Sequence, residues 1–366
     1  MKISCKRENL ARGLAIVGRM VKQRATLPVL SNIMIASDKG RLKLAVTDLE
    51  SAISIWIGAK IDEEGAITLP ARTFMDYVSA SSDETIALLC DNSDVLVKSS
   101  HNRATVKGIS AEEFPIIPQV KEGKPITISS HSLKSAIFSV SLAAALDETR
   151  PVLAGVLLRV KLDKIKVVST DSYRLAEKQI ALKKSAEQAF DIIIPSRVAN
   201  ELARILPPDE TEVEIKVGEN QAQFTFGDIE FLSREIEGSF PDYEQIIPSE
   251  MAYECESDKT KFAEAVKMVS VFARDSGNNI KFVASEKSLE IAAASSQIGD
   301  AKASLEVVSK GSSLSVAFNS KFILDALAVI AGETVTLGFS GELSPGQISD
   351  KEDPSYRYII MPLRSE

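Results

Sequence analysis

Apolar residues recur at i, i+4 and i+7 in three places along the chain: Leu10, Leu14, Val17; Leu133, Ile137, Val140; and Phe262, Val266, Val269. That spacing gathers them on one side of a helix, so each segment predicts an amphipathic helix with a single face to bury. Two of the three then run into closely similar apolar segments, Thr26–Ile35 and Thr149–Leu158, and the third into the looser Asn279–Val283. A second helix signal follows in every copy, opening at Pro70-Ala71-Arg72, Pro195-Ser196-Arg197 and Asn319-Ser320-Lys321. The segments Arg41–Thr47, Lys164–Thr170 and Ser288–Ala293 alternate or run apolar over strand lengths, as do Thr85–Cys90, Glu212–Val217 and Glu333–Gly338. Turn residues separate them, for example at Ser37–Gly40 and Gly218–Asn220. Each copy therefore reads as helix, strands, helix, strands: an α+β domain whose sheet carries two helices on one face. A period of roughly 120 residues is too long for a solenoid unit and suits a whole domain. The proline-bearing segments Phe114–Pro118 and Phe240–Pro248 cannot continue a sheet ladder, so they mark exits between domains. The boundaries are expected near Lys124 and Glu250, giving domains 1–124, 125–250 and 251–366.

Composition supports that count, since 366 residues at 45% hydrophobic content can supply a core to each of three domains. No stretch approaches the roughly eighteen uninterrupted apolar residues of a membrane span, and the N-terminus lacks the apolar region of a signal peptide. A soluble, cytoplasmic protein with no membrane partner is expected. Cys5, Cys90 and Cys255 lie far apart without metal-ligand spacing, so they read as buried structural thiols, with neither a disulfide framework nor a zinc site.

A formal charge of −8 argues against a nucleic-acid partner until the positions of the charges are considered. The first helix region carries Arg7, Arg12, Arg19, Lys22 and Arg24 against Glu8, and the third-copy equivalent carries Lys259, Lys261, Lys267 and Arg274. The second helix of each copy opens with a cation at the same internal place: Arg72, Arg197 and Lys321. Acidic residues gather in turns such as Asp62–Glu64, Glu112-Glu113, Pro208–Glu210 and Asp350–Asp353. If helices line one surface and loops another, the molecule has a basic side within an acidic body, suited to phosphate. Long cationic side chains also solvate outer helix faces. Recurrence at equivalent places in every copy favours the phosphate-facing role for the set.

Catalytic chemistry is nearly absent. His101 lies in a polar turn and His131 at a helix start, neither with the company that a base or a metal ligand needs. There is no phosphate loop, GxGxxG, GxSxG or HExxH motif, and no cofactor is expected. Thr170-Asp171 reads as an Asx-type turn at a strand end because Thr47-Asp48 repeats it in the first copy, while Asp76 and Asp325 read as solvated helix carboxylates. Repeated domains without chemistry build a surface. A nucleic-acid-acting enzyme that grips DNA with basic helices is the alternative, but it needs clustered carboxylates or a nucleophilic Lys in context, and neither is present. A sequence-specific regulator needs its cations gathered on one recognition helix, whereas here they are spread over all copies.

Several segments carry a family resemblance: Met1-Lys2-Ile3, Gln23–Leu30, Ser169–Ala176, Gly238–Tyr243 and the terminal Tyr358–Arg364. Taken in this order on a threefold repeat, they make the chain resemble, over its full length, the beta subunits of bacterial DNA polymerase III, the sliding-clamp family. The resemblance implies three clamp domains (the DNA clamp fold) per chain and a head-to-tail homodimer forming a six-domain ring, with helices inside and sheets outside. It implies a non-catalytic processivity factor that encircles double-stranded DNA without sequence preference, and a clamp loader to open the ring. Replicative and repair polymerases and other proteins would dock through a short clamp-binding motif. Arg24 matches a DNA-contacting position of the family. Ala104 and Val106, with Val271 and Phe272, match its dimer interface, although spacing alone would also let Val271 and Phe272 be ordinary core.

The resemblance also implies a peptide pocket between the second and third copies. The second copy would contribute Leu153, Thr170, Ser172, Tyr173, Arg174 and Leu175, and the boundary Pro241, Gln245 and Ile246. From the third copy would come Asn319, Phe322, Leu343, Pro345, Ile359 and Ile360, and from the tail Met361, Pro362, Leu363 and Arg364. Such an apolar hole with a polar rim suits the Leu/Phe end of a linear motif. Burying two such side chains supplies ~3–6 kcal/mol before ordering costs, which fits exchangeable binding near the micromolar range. The chain departs from the commonest family pattern at Tyr173, Gln245, Gly277 and the polar Ser365-Glu366 end, which bears on the pocket's preference.

Overall fold

The computed structural model describes residues 1–22, 27–121, 123–147 and 149–363. Arg24, Arg364 and the Ser365-Glu366 end lie outside the described residues, as does Gln23–Thr26 of the resemblance. The chain forms two compact units, Met1–His131 with Glu201–Glu235 and Ser132–Asn200 with Ile236–Glu366. Six α-helices stand among the described residues where the periodicity placed them: α1 (Arg7–Val17), α2 (Ala71–Ala80), α3 (Ser130–Ser141), α4 (Ser196–Ile205), α5 (Lys259–Ser270) and α6 (Ser320–Val329).

In the first unit a five-stranded sheet runs in the order β5 (Lys60–Glu63), β1 (Lys2–Lys6), β7 (Thr85–Asp91), β8 (Asp94–Lys98), β9 (Arg103–Lys107). A nine-stranded sheet begins with β10 (Ile109–Ser110), β6 (Ala66–Pro70), β2 (Asn32–Asp38), β3 (Arg41–Thr47) and β4 (Ser51–Ile57). It continues through β18 (Ile229–Arg234), β17 (Gln221–Phe226), β16 (Glu212–Gly218) and β11 (Ile126–Ser129). Helix α1 lays Leu10, Leu14 and Val17 against β3 and β4. Gly13 permits that approach, since a Cβ there would stand 2.9 Å from Leu44 Cδ1 and 3.3 Å from Ile57 Cγ2.

The second unit repeats the plan. Its nine-stranded sheet begins with β15 (Phe190–Pro195), β12 (Gly155–Val160), β13 (Lys164–Thr170) and β14 (Arg174–Ala181). It continues through β27 (Tyr356–Ile360), β26 (Gly346–Asp350), β25 (Thr334–Phe339), β19 (Tyr253–Asp258) and β23 (Val308–Gly311). A four-stranded sheet runs β22 (Gly299–Glu306), β21 (Ser288–Ser295), β20 (Asn279–Ala284), β24 (Leu314–Asn319). Between the sheets Tyr253, Phe262, Phe282, Phe318 and Phe339 form a connected aromatic core with centroids 5.8 to 6.3 Å apart. Helices α5 and α6 are capped: Asp258 Oδ1 accepts from the Lys261 amide at 2.9 Å, and Asn319 Oδ1 from the Lys321 amide at 2.9 Å.

One expectation needs correction. One sheet per copy was expected, but each copy divides its strands between two sheets, and the nine-stranded sheets cross from copy to copy. Strand β4 pairs with β18 by Ile55↔Ile229 and Ile53↔Phe231, and β14 with β27 by Leu175↔Ile359, so edges that would stand open are closed by the next copy. Pro28–Ser31 and Pro151–Ala154 are 3-10 turns, and the ladders begin only at Asn32 and Gly155, because proline lacks the N–H a ladder needs. Phe114–Pro118 and Phe240–Pro248 carry no strand, as the prolines required, and Tyr243–Ile246 form a 3-10 turn.

Cys5 and Cys255 are buried free thiols, and burial pushes them up to about 12 and about 11. Cys90 is only half-buried, its Sγ 3.2 Å from the Asn92 carbonyl oxygen. No helix among the described residues is long and apolar enough to cross a membrane, and no described group of His, Cys, Asp or Glu could hold a metal.

Candidate functional site

The cations at the start of the second helices are exposed in all three copies. Arg72, Arg197 and Lys321 each occupy the second residue of α2, α4 and α6. A cation in a first turn opposes the helix dipole by typically ~0.3–1 kcal/mol, so this placement repeats against local stability. The Arg72 side chain is 84% exposed, with Asp76 4.0 Å away at the limit of an ion pair. Arg12 and Lys267 are exposed and Arg7 half-buried. Two other cations of the basic set are committed within the fold: Lys22 Nζ lies 3.2 Å from the buried Asp48, and Lys259 Nζ donates to the Ile330 carbonyl at 2.9 Å.

The Thr170–Leu175 turn is built as the sequence suggested. Asp171 Oδ1 accepts from the amides of Tyr173 at 2.9 Å and Arg174 at 3.0 Å, while Thr170 Oγ1 donates to the Arg174 carbonyl at 2.6 Å. Ser172 takes φ 78° at its tip. The first copy repeats it, with Asp48 Oδ1 accepting from Glu50 and Ser51 and Leu49 at φ 76°. Asp171 has a further role. Arg174 Nε donates to its Oδ2 at 3.0 Å, Nη1 to Asp325 Oδ2 at 2.5 Å, and the guanidinium carbon lies 4.3 Å from the Phe322 ring centre. Asp325 is therefore not a solvated helix carboxylate as expected: it sits one turn from Phe322 on α6 and turns to the buried Arg174. Burial opposes the Arg174 charge, but Tyr358, Asp325 and Asp171 outweigh it and raise the pKa.

The C-terminal segment is tied down at two points. The Met361 amide donates to the Tyr173 carbonyl at 2.9 Å, and the Leu363 amide to the Ala317 carbonyl at 2.8 Å, fixing the tail between β14 and β24. Pairing of Gly346 with Ile360 brings the Leu343–Pro345 turn beside it. The surface so assembled exposes Tyr173 (61%) and Leu343 (75%), with Ser172, Pro241 and Gln245 also exposed. Ile246, Asn319, Phe322, Pro345, Met361, Pro362 and Leu363 are half-buried. Leu175, Ile359 and Ile360 are sequestered in the core, and Thr170 and Leu153 nearly so, so these five support the surface from beneath. Gln245 Nε2 is held by Asp242 Oδ2 at 2.6 Å. Under the same turn the fully buried Glu177 accepts from Tyr243 Oη at 2.8 Å and pairs with Arg357 at 3.2 Å. Burial, then the Glu177 charge, raise the Tyr243 pKa. Sequence reasoning missed Glu177 and Tyr358; the i+3 spacing of Phe322 and Asp325 could have revealed Asp325.

Ala104 and the buried Val106 lie on β9, whose outer side is an unpaired sheet edge. Val271 (44% exposed) and half-buried Phe272 lie in the 3-10 segment Val271–Ser276 after α5. Phe272 reaches Gly299, where a second unpaired edge, β22, begins. The sequence reading had not identified β22. Strand β9 carries Arg103 and Lys107, and β22 carries Asp300 and Glu306 with Lys302 between them, whose Nζ donates to Glu290 at 3.2 Å.

His101 does have company, contrary to expectation. Its Nδ1 lies 2.7 Å from Asp83 Oδ1, and Ser99 Oγ donates to the other Asp83 oxygen. Both groups bind the carboxylate, so the serine has no base and the cluster is a loop clasp without nucleophilic chemistry.

Comparison with known proteins gives a consistent result. Family models described as DNA polymerase III beta subunit match in three parts: N-terminal domain at residues 1–118, central domain at 127–242 and C-terminal domain at 244–364. A protein named Beta sliding clamp from Staphylococcus aureus (strain Mu50 / ATCC 700699) is 30% identical over 376 residues, covering 100% of both chains. The DNA polymerase III subunit beta of Pseudomonas aeruginosa superposes with a TM-score of 0.96 at 29% identity, and the DNA polymerase sliding clamp of Bacillus subtilis with 0.95 at 28%, each covering 100% of both chains.

Proposed function

The chain belongs to the DNA polymerase III beta subunit family, the sliding clamps, and from that premise we propose that two copies close head to tail into a ring around duplex DNA. The ring has no catalytic role: it slides without reading sequence and holds replicative and repair polymerases to their template. The observation that carries the DNA-facing side is the exposed cation at the second position of α2, α4 and α6, repeated three times where the helix dipole opposes it. Arg7, Arg12 and Lys267 extend that side, Arg24 joins the DNA contacts on the family match alone, and contacts to phosphate alone leave the ring free to slide. Ring closure pairs the β9 edge of one subunit with the β22 edge of the other, Arg103 and Lys107 facing Asp300 and Glu306. Ala104, Val106, Val271 and Phe272 supply the apolar part of that contact. A clamp loader opens the ring in the cytoplasm, and the domains divide near Lys124 and Glu250.

The surface around Tyr173, Leu343 and Met361–Leu363 receives the apolar end of a linear motif, with Arg174 holding Phe322 in place. Weak, exchangeable binding lets several enzymes take turns on one clamp. Replacing Arg72, Arg197 and Lys321 together with Glu tests the DNA-facing side. The variant should stay folded and dimeric but lose DNA affinity, with a shallower dependence on salt. An unchanged salt slope would remove the basis for that surface.

A further inference from the structure

We infer that the proposed peptide surface continues past Asn319 into a trough on the face of the four-stranded sheet turned away from the aromatic core, and that this trough takes an acidic residue flanking the motif. The cavity measures about 600 Å³ and is lined among others by Asn279, Lys281, Ala292, Ala294, Lys302 and Ala317. Two contacts join it to the Tyr173 surface. The Ala317 carbonyl accepts from the Leu363 amide of the tail, and Asn279 pairs with Asn319 across β20 and β24. Ser276 and Asn279 line the trough on either side of Gly277, whose carbonyl accepts from Asn319 Nδ2 at 3.4 Å. Gly277 adds no side chain at that corner, and even a Cβ there would meet open space.

The register across the sheet selects the acidic residue. Leu363, Ala317, Lys281, Ala292 and Lys302 stand opposite one another in a single row, which places their side chains on one face. On that face β24 carries Ser315, Ala317 and Asn319, and β20 carries Asn279, Lys281 and Val283. Lys281 is thus the first charge beyond the tail, two strand spacings or about 10 Å from Leu363, a distance that about three extended residues cover. It is exposed and forms no ion pair among the described residues. The charges further on are already placed: Lys302 Nζ donates to Glu290, and Asp300 stands on the far edge strand β22, where ring closure would set Arg103 and Lys107 of the other subunit against it. An acidic side chain entering from the tail therefore meets a free cation before any carboxylate. Ala292 and Ala294 keep the floor low enough for a peptide backbone to lie over it. That the occupant is a peptide rests on the peptide reading of the Tyr173 surface; the row and its charges do not.

The test uses the intact protein with labelled Ala and Leu methyl groups and three acetylated peptides: a motif peptide with Gln before a Leu-Phe end, the same peptide preceded by Glu-Glu, and the same preceded by Lys-Lys. The Glu-Glu peptide should shift the Ala292 and Ala294 methyl resonances and bind about fivefold more tightly than the Lys-Lys peptide at low salt, a difference that shrinks as salt is added. A net charge of −8 favours the opposite order, so general attraction to the protein would not imitate this result. Lys281→Glu changes one exposed position and should reverse the order of the two flanked peptides while the motif peptide alone keeps its affinity. Absence of shifts at Ala292 and Ala294, equal binding of the two flanked peptides, or an unchanged order in Lys281→Glu would overturn the proposal. Failure of the motif peptide alone to shift the Leu343 methyls would instead count against the Tyr173 surface on which the extension rests.

Discussion

Arg174 offers the sharpest test of how the proposed peptide surface is held. Replacing it with Met keeps the aliphatic length but removes the guanidinium that joins Asp171, Asp325 and Phe322. Asp171 retains two backbone donors, so the loss of its charged hydrogen bond costs about 1–2 kcal/mol. Asp325 is one-third exposed and can be hydrated, which limits its term to about 0.5–1 kcal/mol. The stacking on Phe322 adds roughly 1 kcal/mol. The sum, about 3 kcal/mol, should appear in urea denaturation and as faster amide exchange at Leu175 and Ile359, which pair across β14 and β27. Asp325→Asn alone should cost less, and the double variant less than the sum of the two, because they share one contact. With Phe322 released, the motif peptide should bind several-fold more weakly. Additive effects in the cycle, or a variant within about 0.5 kcal/mol of wild type with unaltered peptide affinity, would refute this account of Arg174.

Phe272→Asp should yield a folded monomer in sedimentation velocity, since closing the ring over it would bury an unpaired charge; a dimer persisting below about micromolar concentration would move the interface elsewhere. The hydrogen bond from Ser99, then His101, holds the Asp83 carboxyl at about 2. Its folded pKa lies below the ordinary value of about 3.9, so its stabilising contribution is full above about pH 4 and is lost as pH falls through about 2. Carbon-detected NMR titration should place the Asp83 midpoint near 2, and Ser99→Ala should raise it; an ordinary midpoint in the wild type would contradict the clasp.

The helices were legible because their apolar spacing is local: Leu10, Leu14 and Val17, like Phe262, Val266 and Val269, are buried where the period put them. The Asx turns at Asp48 and Asp171 were legible for the same reason. Sheet membership was not, because a strand such as Ser51–Ile57 carries no mark of whether its partner lies in its own copy or the next. The candidate surface was named through the family resemblance, and its physical support was hidden. Asp325 meets Arg174 across 151 positions of sequence, so no window could pair them. The open edge of β22 reads in sequence as a run of alternating small and charged residues, Gly299–Glu306, and its exposure follows only from what fails to pair with it.

The central claim is topological, and topology can be measured without reference to affinity. After loading onto nicked circular duplex DNA by a clamp loader, the protein should co-elute with the circle in gel filtration at a salt concentration that abolishes simple phosphate binding. A single restriction cut should then release it, because a closed ring leaves by sliding off an end. Equal retention on circular and cut DNA, or loss from both at the same salt, would contradict encirclement.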